Sequence, residues 1–290
     1  MNYVIGDIHG KYDKMLKALE NAGFDKEKDV LFSVGDFCDR GSESRKVVEY
    51  LMGLGDRFKA VFGNHDIWLY QFLKAIQSYE TETEEERELH RLDRDILDCW
   101  IHNGGSATLE SFEGISSVER ERILIWLEKM SYRIELDKFI IQHTFSPTMF
   151  RNYYFPDNDY SVNMKDLLDN DRIRKDYDEV FWNRETIYYS KAIAGAEAWD
   201  IDEVSKYITK KTLIIGHTPI VGCKLPAEPV YDKELNFILI DSGSFLDDAG
   251  KYGLKEAGAV TVMNLDTLQW YTSAGKQGTF TKEDIGSRVG

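Results

Sequence analysis

Cysteine and proline are scarce in this chain of 290 residues, which contains 3 cysteines and 5 prolines. Cys38, Cys99 and Cys223 are widely spaced and form no Cys-x-x-Cys pair, so neither a disulfide framework nor a structural zinc site is indicated. We therefore expect reduced thiols. The few prolines leave no obvious linker, and we expect residues 1–290 to form a single domain.

Long apolar runs and positive charge are also lacking. No run approaches the roughly 20 residues that cross a bilayer, so we expect no membrane partner. Met1 leads almost directly into a strand-like segment, which predicts no signal peptide and a cytoplasmic location. The 36 Lys and Arg residues stand against 51 Asp and Glu residues, a formal net charge of −15. The electrostatic field of a chain with this negative charge repels nucleic acid, although a local cationic pocket could still hold a small anion.

Short apolar runs rich in Val, Ile and Phe predict buried strands. Amphipathic helical stretches at 11–23 and 44–55 separate the first three runs, which predicts βαβ units and a largely parallel sheet. Residues 67 to about 135 look mainly helical, and we interpret them as a helical cap inserted over the sheet. Within this block, Ser116 and Glu119 predict a helix-capping box. The six runs are YVI (3–5), VLFSV (30–34), KAVF (59–62), FIIQ (139–142), TLIIG (212–216) and FILI (237–240), and two more strand-like runs follow at 259–263 and 268–272.

Residues able to bind metals follow five of the six runs. In open α/β sheets, functional groups gather beyond the carboxyl ends of the strands, where side chains distant in sequence can meet. Asp, His and Asn suit Mn, Fe, Zn or Mg-like ions, and two ions sharing a carboxylate can clamp a phosphoryl group. The residues are Asp7, His9, Asp36, Asp39, Asn64, His65, Asp66, His143 and His217.

Each of these pieces also has an ordinary structural explanation. A turn with a capping aspartate can produce Asp-x-His, and a lone histidine such as His143 is usually a core or surface residue. However, four of the 6 histidines fall at these strand ends. Scattered turns would not sort in this way, so we interpret the residues as one metal site.

The segments GDIHG (6–10), GDFCDRG (35–41), GNHD (63–66) and GHTP (216–219), with His143, resemble the metallophosphoesterases. More closely, they resemble the bacterial branch of the phosphoprotein phosphatase family, which includes serine/threonine protein phosphatases and symmetrical diadenosine tetraphosphate hydrolases. The resemblance covers roughly residues 3–245, and CWIHNGGSATL (99–109) and FWNRE (181–185) also resemble segments of this branch. It implies an α/β fold, a four-layer α/β/β/α sandwich with the helical cap inserted.

The resemblance also implies two divalent metal ions bridged by Asp36. Manganese is the expected metal, with iron or zinc as alternatives, because these ligands discriminate little between them. The implied ligands are Asp7, His9 and Asp36 for the first metal, and Asp36, Asn64, His143 and His217 for the second.

The remaining roles that the resemblance implies concern the substrate. The guanidinium groups of Arg40 and Arg184 would each bind phosphate oxygens in a bidentate manner. His65 would be the general acid, held and charged by Asp39. The reaction would be direct hydrolysis of a phosphate ester by metal-activated water, with no covalent phosphoenzyme.

The chain departs from the family pattern at two places. Asp66 stands where protein phosphatases of the family usually have Glu, and Thr144-Phe145 follows His143 where bacterial members usually have Ala-Gly. We expect the first change to alter support of the loop. We expect the second to affect the substrate pocket and leave the metal site unchanged.

Three functions remain open on this sequence. The first is a phosphomonoesterase acting on phosphoserine or phosphothreonine, and the second is a dinucleoside polyphosphate or other nucleotide phosphohydrolase. Aromatic residues between 150 and 182 could stack an adenine, which favours the second, or could pack as a loop over the sheet. The third is a metal-binding scaffold without activity, which has no reason to keep the implied catalytic residues together.

Overall fold

The computed structural model describes residues 1–81, 83, 94–145, 163–168, 181–194, 210–281 and 285. The aromatic residues at 150–177 that could stack a base lie outside this described part. Eleven strands occur within it. They are β1 (Asn2–Ile5), β2 (Val30–Ser33), β3 (Phe58–Ala60), β4 (Arg133–Glu135), β5 (Phe139–Gln142), β6 (Thr212–Ile215), β7 (Val230–Asp232), β8 (Phe237–Leu239), β9 (Thr261–Asn264), β10 (Gln269–Thr272) and β11 (Gln277–Thr279).

The helices of the described residues surround these strands. They are α1 (Tyr12–Asn21), α2 (Ser44–Gly53), α3 (Asn64–Thr81), α4 (Arg94–Trp100), α5 (Ser106–Ser111), α6 (Ser117–Glu128), α7 (Met164–Leu168), α8 (Glu185–Tyr189), α9 (Lys191–Ala194) and α10 (Ala249–Tyr252). A π-helical stretch, Ile101–Gly105, joins α4 to α5 and is kinked at Gly104, whose φ is 104°. Short 3₁₀ turns lie at Gly55–Arg57 and Ile220–Cys223. Among the described helices, none combines the length and apolar character that a membrane span requires.

The strands form two sheets, and both are mixed. The first has the order β11-β10-β9-β1-β2-β3, and the second has the order β4-β5-β6-β8-β7. The strands β1, β2 and β3 are parallel neighbours, as are β5, β6 and β8. The prediction of a largely parallel arrangement is therefore correct for these six strands and wrong for β9, β10 and β11, which run antiparallel to their neighbours. The reason is that β9, β10 and β11 follow one another through short turns, which can only join antiparallel strands. The edge strands β4 and β7 of the second sheet are antiparallel as well.

Alternating side chains of the strands build the layers. Val4 of β1 packs in a cluster between the two sheets, while its neighbour Ile5 joins the cluster that includes residues of α1, α2, α3 and α6. On β5, Ile141 lies in the cluster between the sheets and Ile140 faces α8 and α9. Successive residues of a strand point to opposite faces, so each sheet buries both of its faces. The result is the expected α/β/β/α sandwich.

The predicted capping box is present at the start of α6. The hydroxyl of Ser116 accepts a hydrogen bond from the backbone N–H of Glu119 at 3.2 Å, and the Glu119 carboxylate accepts one from the Ser116 N–H at 3.1 Å. Two of the four N–H groups left free at a helix start are satisfied in this way.

We expect Ser116→Ala to lower the free energy of unfolding by about 0.5–2 kcal/mol, because the cap is lost. The measurement is urea denaturation followed by circular dichroism. Ser117→Ala, one position further and equally exposed, is the matched control and should change little. Equal stability of both variants would contradict the role of the cap.

Candidate metal centre and active site

The polar residues predicted from the strand ends meet at one place in the structure. The loop after β1 is joined to the loop after β2 because the N–H groups of Ile8 and His9 both donate to the Asp36 carbonyl at 3.0 Å. The second sheet is tied in by His217, whose N–H donates to Oδ2 of Asp7 at 2.9 Å. Eight of the predicted site residues are at most 6% exposed: Asp7, His9, Asp36, Asp39, Asn64, His65, His143 and His217. Arg40 and Arg184 are partly exposed.

The carboxylate of Asp36 lies at the centre of this cluster. Its Oδ2 is 3.4 Å from Nε2 of His143, 3.6 Å from Nε2 of His9 and 4.0 Å from Nε2 of His65. In the part of the chain that the structure describes, two groups of side chains have ligand atoms within 4.8 Å of one another. One consists of His9, Asp36 and His65, and the other of Asp36, His143 and His217. Asp36 belongs to both groups and could therefore contact two ions at once.

Backbone carbonyls orient two of the histidines. Nδ1 of His9 is 2.9 Å from the Cys38 carbonyl, and Nδ1 of His143 is 2.8 Å from the Val34 carbonyl. A carbonyl can only accept, so each Nδ1 carries the proton and donates it. Each Nε2 then carries a lone pair when the ring is neutral, which is the orientation of a metal-ligating histidine. In this structure the Nε2 of His9 accepts from Nη1 of Arg40 at 2.7 Å.

Buried atoms without partners show that the cluster fits a cation. Oδ1 of Asp7 and Nε2 of His217 are buried and have no hydrogen-bond partner among the described residues. Buried polar atoms are normally paired. The backbone lies close against the carboxylates, because a Cβ on Gly216 would lie 2.1 Å from Oδ1 of Asp7 and one on Gly63 would lie 2.1 Å from Oδ1 of Asp36.

The charges of the cluster also favour a bound cation. Burial, reinforced by the carboxylate of Asp241, raises the pKa of Asp7 well above its usual value. Burial alone would lower the pKa of His143, but Asp36 outweighs it and raises that pKa to about 9. Excess buried carboxylate of this kind is stabilised by a bound cation.

A second cluster surrounds His65. Its Nδ1 is 2.5 Å from Oδ2 of Asp39, and its Nε2 accepts a hydrogen bond from Nη2 of Arg40 at 2.9 Å. The guanidinium of Arg40 lies over the ring of Phe245 at 4.1 Å. The pKa of Arg184 is lowered mainly by burial and also by the charge of Arg40.

Backbone strain is concentrated in these loops. Positive φ is uncommon outside glycine and costs about 1–3 kcal/mol where the surroundings impose it. The non-glycine site residues with positive φ are His9 (49°), Asp36 (55°), Asp39 (72°), Arg40 (68°) and His217 (72°).

The structure shows the surroundings of Asp66 and Phe145, the two positions where the chain departs from the family pattern. Asp66 supports the loop despite its short side chain, because it accepts N–H bonds from Asp36 at 2.7 Å, Phe37 at 2.9 Å and Gly63 at 2.8 Å. Phe145 is 9% exposed and belongs to the hydrophobic cluster on the outer face of the second sheet.

Several residues of the site were missed by the sequence reasoning. Asp241 directly follows the apolar run 237–240 that contains β8, the run for which no polar residue was noted. Its Oδ2 is buried without a partner in the described structure. Its position after an apolar run was an available signal. No sequence signal marked Phe245, whose ring is 5.1 Å from that of His9. Trp100 and Thr108 contact Asp39 from a segment whose role was not recognised.

Residues 3–182 match the calcineurin-like phosphoesterase family, and this is more than half of the chain. The chain therefore belongs to that family of metallophosphoesterases. It is 47% identical over 68 residues to a symmetrical bis(5'-nucleosyl)-tetraphosphatase of Hamiltonella defensa, which covers 23% of this chain and 25% of that protein. It is 36% identical over 99 residues to the enzyme of the same name from Buchnera aphidicola, covering 34% of this chain and 36% of the relative. The matched part is about a third or less of each relative's length.

Solved structures share the fold at low sequence identity. A cold-active protein tyrosine phosphatase superposes with a TM-score of 0.57 at 15% identity, covering 98% of this chain and 79% of that one. A cold-active protein-tyrosine phosphatase of a psychrophilic Shewanella species gives 0.56 at 15% identity, with coverages of 97% and 80%. At such identity the likeness shows the fold alone.

We expect Gly216→Ala to weaken metal binding by about 10–100-fold, the usual effect of disturbing the support of a ligand. The added Cβ would meet Oδ1 of Asp7 and displace it. Gly222→Ala is the matched control, because the nearest atom to its added Cβ is 3.9 Å away. The measurement is metal content after equilibrium dialysis against manganese, with circular dichroism to confirm folding. Unchanged metal content in a folded Gly216→Ala variant would contradict the assignment.

Proposed function

We propose that the protein is a metal-dependent phosphoester hydrolase, and most specifically a phosphomonoesterase of the serine/threonine phosphatase type. The observation that supports it is the position of Asp36, which lies close to His9 and His65 on one side and to His143 and His217 on the other, with His65 also paired to Asp39. A metal pair next to a hydrogen-bonded histidine suits hydrolysis at phosphorus.

The proposed ligands meet around Asp36, except that Asp7 lies outside the two groups and is linked to them through the N–H of His217. When bound, the two divalent ions would supply Lewis-acid activation of water and neutralise charge at phosphorus. Manganese is the proposed metal, and iron and zinc accept the same donors. Asp7, His9 and Asp36 would hold the first ion, and Asp36, Asn64, His143 and His217 would hold the second.

The other residues would act on the substrate. The guanidinium groups of Arg40 and Arg184 would bind phosphate oxygens and hold the ester in place. His65 would deliver a proton from Nε2 to the departing oxygen, since Nδ1 is occupied by Asp39 at 2.5 Å. In this structure Nε2 accepts from Arg40, so it would take up that proton when the Arg40 guanidinium turns to the phosphate. Asp39 would hold the ring in that orientation and stabilise its charged form.

This acid favours a substrate with a basic leaving group. An alkoxide, such as that of serine or threonine, leaves poorly unless it is protonated, whereas a nucleoside diphosphate leaves as a weak base. A buried histidine–aspartate pair aimed at the site is therefore most useful for an alkyl phosphate.

A second candidate is a phosphohydrolase of dinucleoside tetraphosphates. It is favoured by the curated relatives, which are symmetrical bis(5'-nucleosyl)-tetraphosphatases. Trp182, whose ring centroid lies 5.7 Å from His217 and 6.2 Å from His65, offers an aromatic surface beside the site.

A panel of substrates with manganese present tests the proposal. We expect phosphate release from a phosphoserine peptide because His65 can protonate its leaving alkoxide. Release of ADP from diadenosine tetraphosphate, with no phosphate from the peptide, would support the second candidate instead. The control is Asp36→Asn, which should abolish turnover of every substrate. Absence of turnover on the whole panel by metal-loaded protein would contradict hydrolase activity.

We expect His65→Ala to lower kcat on the phosphoserine peptide by about 10²–10⁴-fold, the usual contribution of general acid catalysis. The loss on 4-nitrophenyl phosphate should be much smaller, because nitrophenolate leaves without a proton. Metal content, measured in parallel, should stay at the wild-type level. Equal losses on both substrates would argue against His65 as the acid.

A further inference from the structure

Asp39 receives more hydrogen bonds than its pairing with His65 requires. Nε1 of Trp100 donates to Oδ2 at 2.8 Å, the same oxygen that faces His65. The hydroxyl of Thr108 donates to Oδ1 at 2.5 Å. Each carboxylate oxygen is thus held by a side chain from the segment that begins at the end of α4 and runs into α5.

The backbone of Asp39 is held by the same segment. Its N–H donates to Oγ1 of Thr108 at 2.8 Å, so one hydroxyl binds both the N–H and the carboxylate of the same residue. Next along the chain, the N–H of Arg40 donates to the Gly104 carbonyl at 3.0 Å. Both Asp39 and Arg40 have positive φ, so these contacts stabilise a conformation that the residues would otherwise rarely adopt.

Two glycines bring the segment close enough to make these contacts. A Cβ on Gly104 would lie 2.6 Å from Cγ of Arg40, and a Cβ on Gly105 would lie 2.7 Å from the indole of Trp100. Gly104 also has a φ of 104°, where side chains are strained. The close approach therefore depends on the Gly-Gly pair.

The contacts constrain the orientation of the carboxylate. Asp39 is fully buried, so no solvent replaces a lost donor. With Thr108 on one oxygen and Trp100 on the other, the carboxylate plane is fixed and Oδ2 is directed at Nδ1 of His65. Without either donor the carboxylate could rotate, and the ring of His65 would lose its alignment with the site.

We propose that Trp100 and Thr108 are positioning residues that hold Asp39 so that His65 can deliver a proton to the leaving group. The inference rests on the proposed function, because it requires His65 to be the acid. The two residues act through Asp39 and do not themselves contact the substrate.

The competing explanation is that Trp100 only fills the core. Its side chain is fully buried, and its ring lies 5.3 Å from that of Phe72. A residue that only packs would affect all substrates alike, whereas one that positions the acid would affect those that need a proton. The choice of leaving group separates the two roles.

The first test compares Trp100→Phe, which keeps the ring and removes the N–H, with Thr108→Val, which keeps the shape and removes the hydroxyl. We expect each to lower kcat on a phosphoserine peptide by about tenfold or more, within the range of general acid catalysis. KM, metal content and kcat on 4-nitrophenyl phosphate should stay within about threefold of wild type.

Two control variants accompany these. Thr108→Ser keeps the hydroxyl that Thr108→Val removes, so its kcat on the peptide should stay close to that of the wild type. The comparison of these two Thr108 variants remains a valid test if Trp100→Phe does not fold. Trp126→Phe changes a tryptophan that stacks on Phe58 outside the site, and it should not alter the ratio of rates on the two substrates.

The second test places each substitution in the His65→Ala background. If Trp100 and Thr108 act through His65, they should cause no further loss there, because residues that work as a unit are not additive. Equal losses on both substrates, or a full additional loss in the His65→Ala background, would overturn the inference.

The outcomes also separate this inference from the proposed role of His65. If His65→Ala shows a selective loss on the peptide but Trp100→Phe and Thr108→Val do not, the inference alone is wrong. If His65→Ala itself shows no selectivity for leaving group, both the acid role and the inference are wrong.

Discussion

The carboxylate of Asp36 is the group on which the geometry of this site depends. It is 1% exposed, its Oδ1 accepts the N–H of His65 at 3.1 Å, and its Oδ2 faces histidines from both sheets. A buried anion is costly unless positive or donating groups surround it. The loops after β2, β3 and β5 therefore have to meet at one point, and the sheets must present their carboxyl edges to each other there.

That convergence is maintained by loops in unfavourable backbone conformations. Positive φ at Asp36, Asp39 and Arg40 within one turn stores strain that hydrogen bonds from other elements must offset. Asp66 provides such bonds at Asp36, and Thr108 provides them at Asp39. Thr108, which lies between β3 and β4, thus supports the loop that carries Asp39.

Most of the fold could be predicted from local pattern, and the exceptions have clear causes. The apolar runs predicted eight strands because buried strands need continuous hydrophobic side chains. The strands β4 (RIE), β7 (VYD) and β11 (QGT) were missed since each is three residues long and includes polar or small residues. The capping box at Ser116 was predicted because it depends only on residues three positions apart.

At the site, the candidate metal ligands such as Asp7 and His217 could be predicted from residue type and from their place after a strand. The sequence by itself could not determine which side chains hold Asp39, since Trp100 and Thr108 lie more than 60 residues away and their contacts exist only once the chain has folded. The burial of Asp241 near the candidate ligands and the packing of Phe145 against apolar side chains likewise appear only in the folded chain. Hydrogen bonds and burial depend on the distance between residues in space, and this distance cannot be read from their separation along the chain.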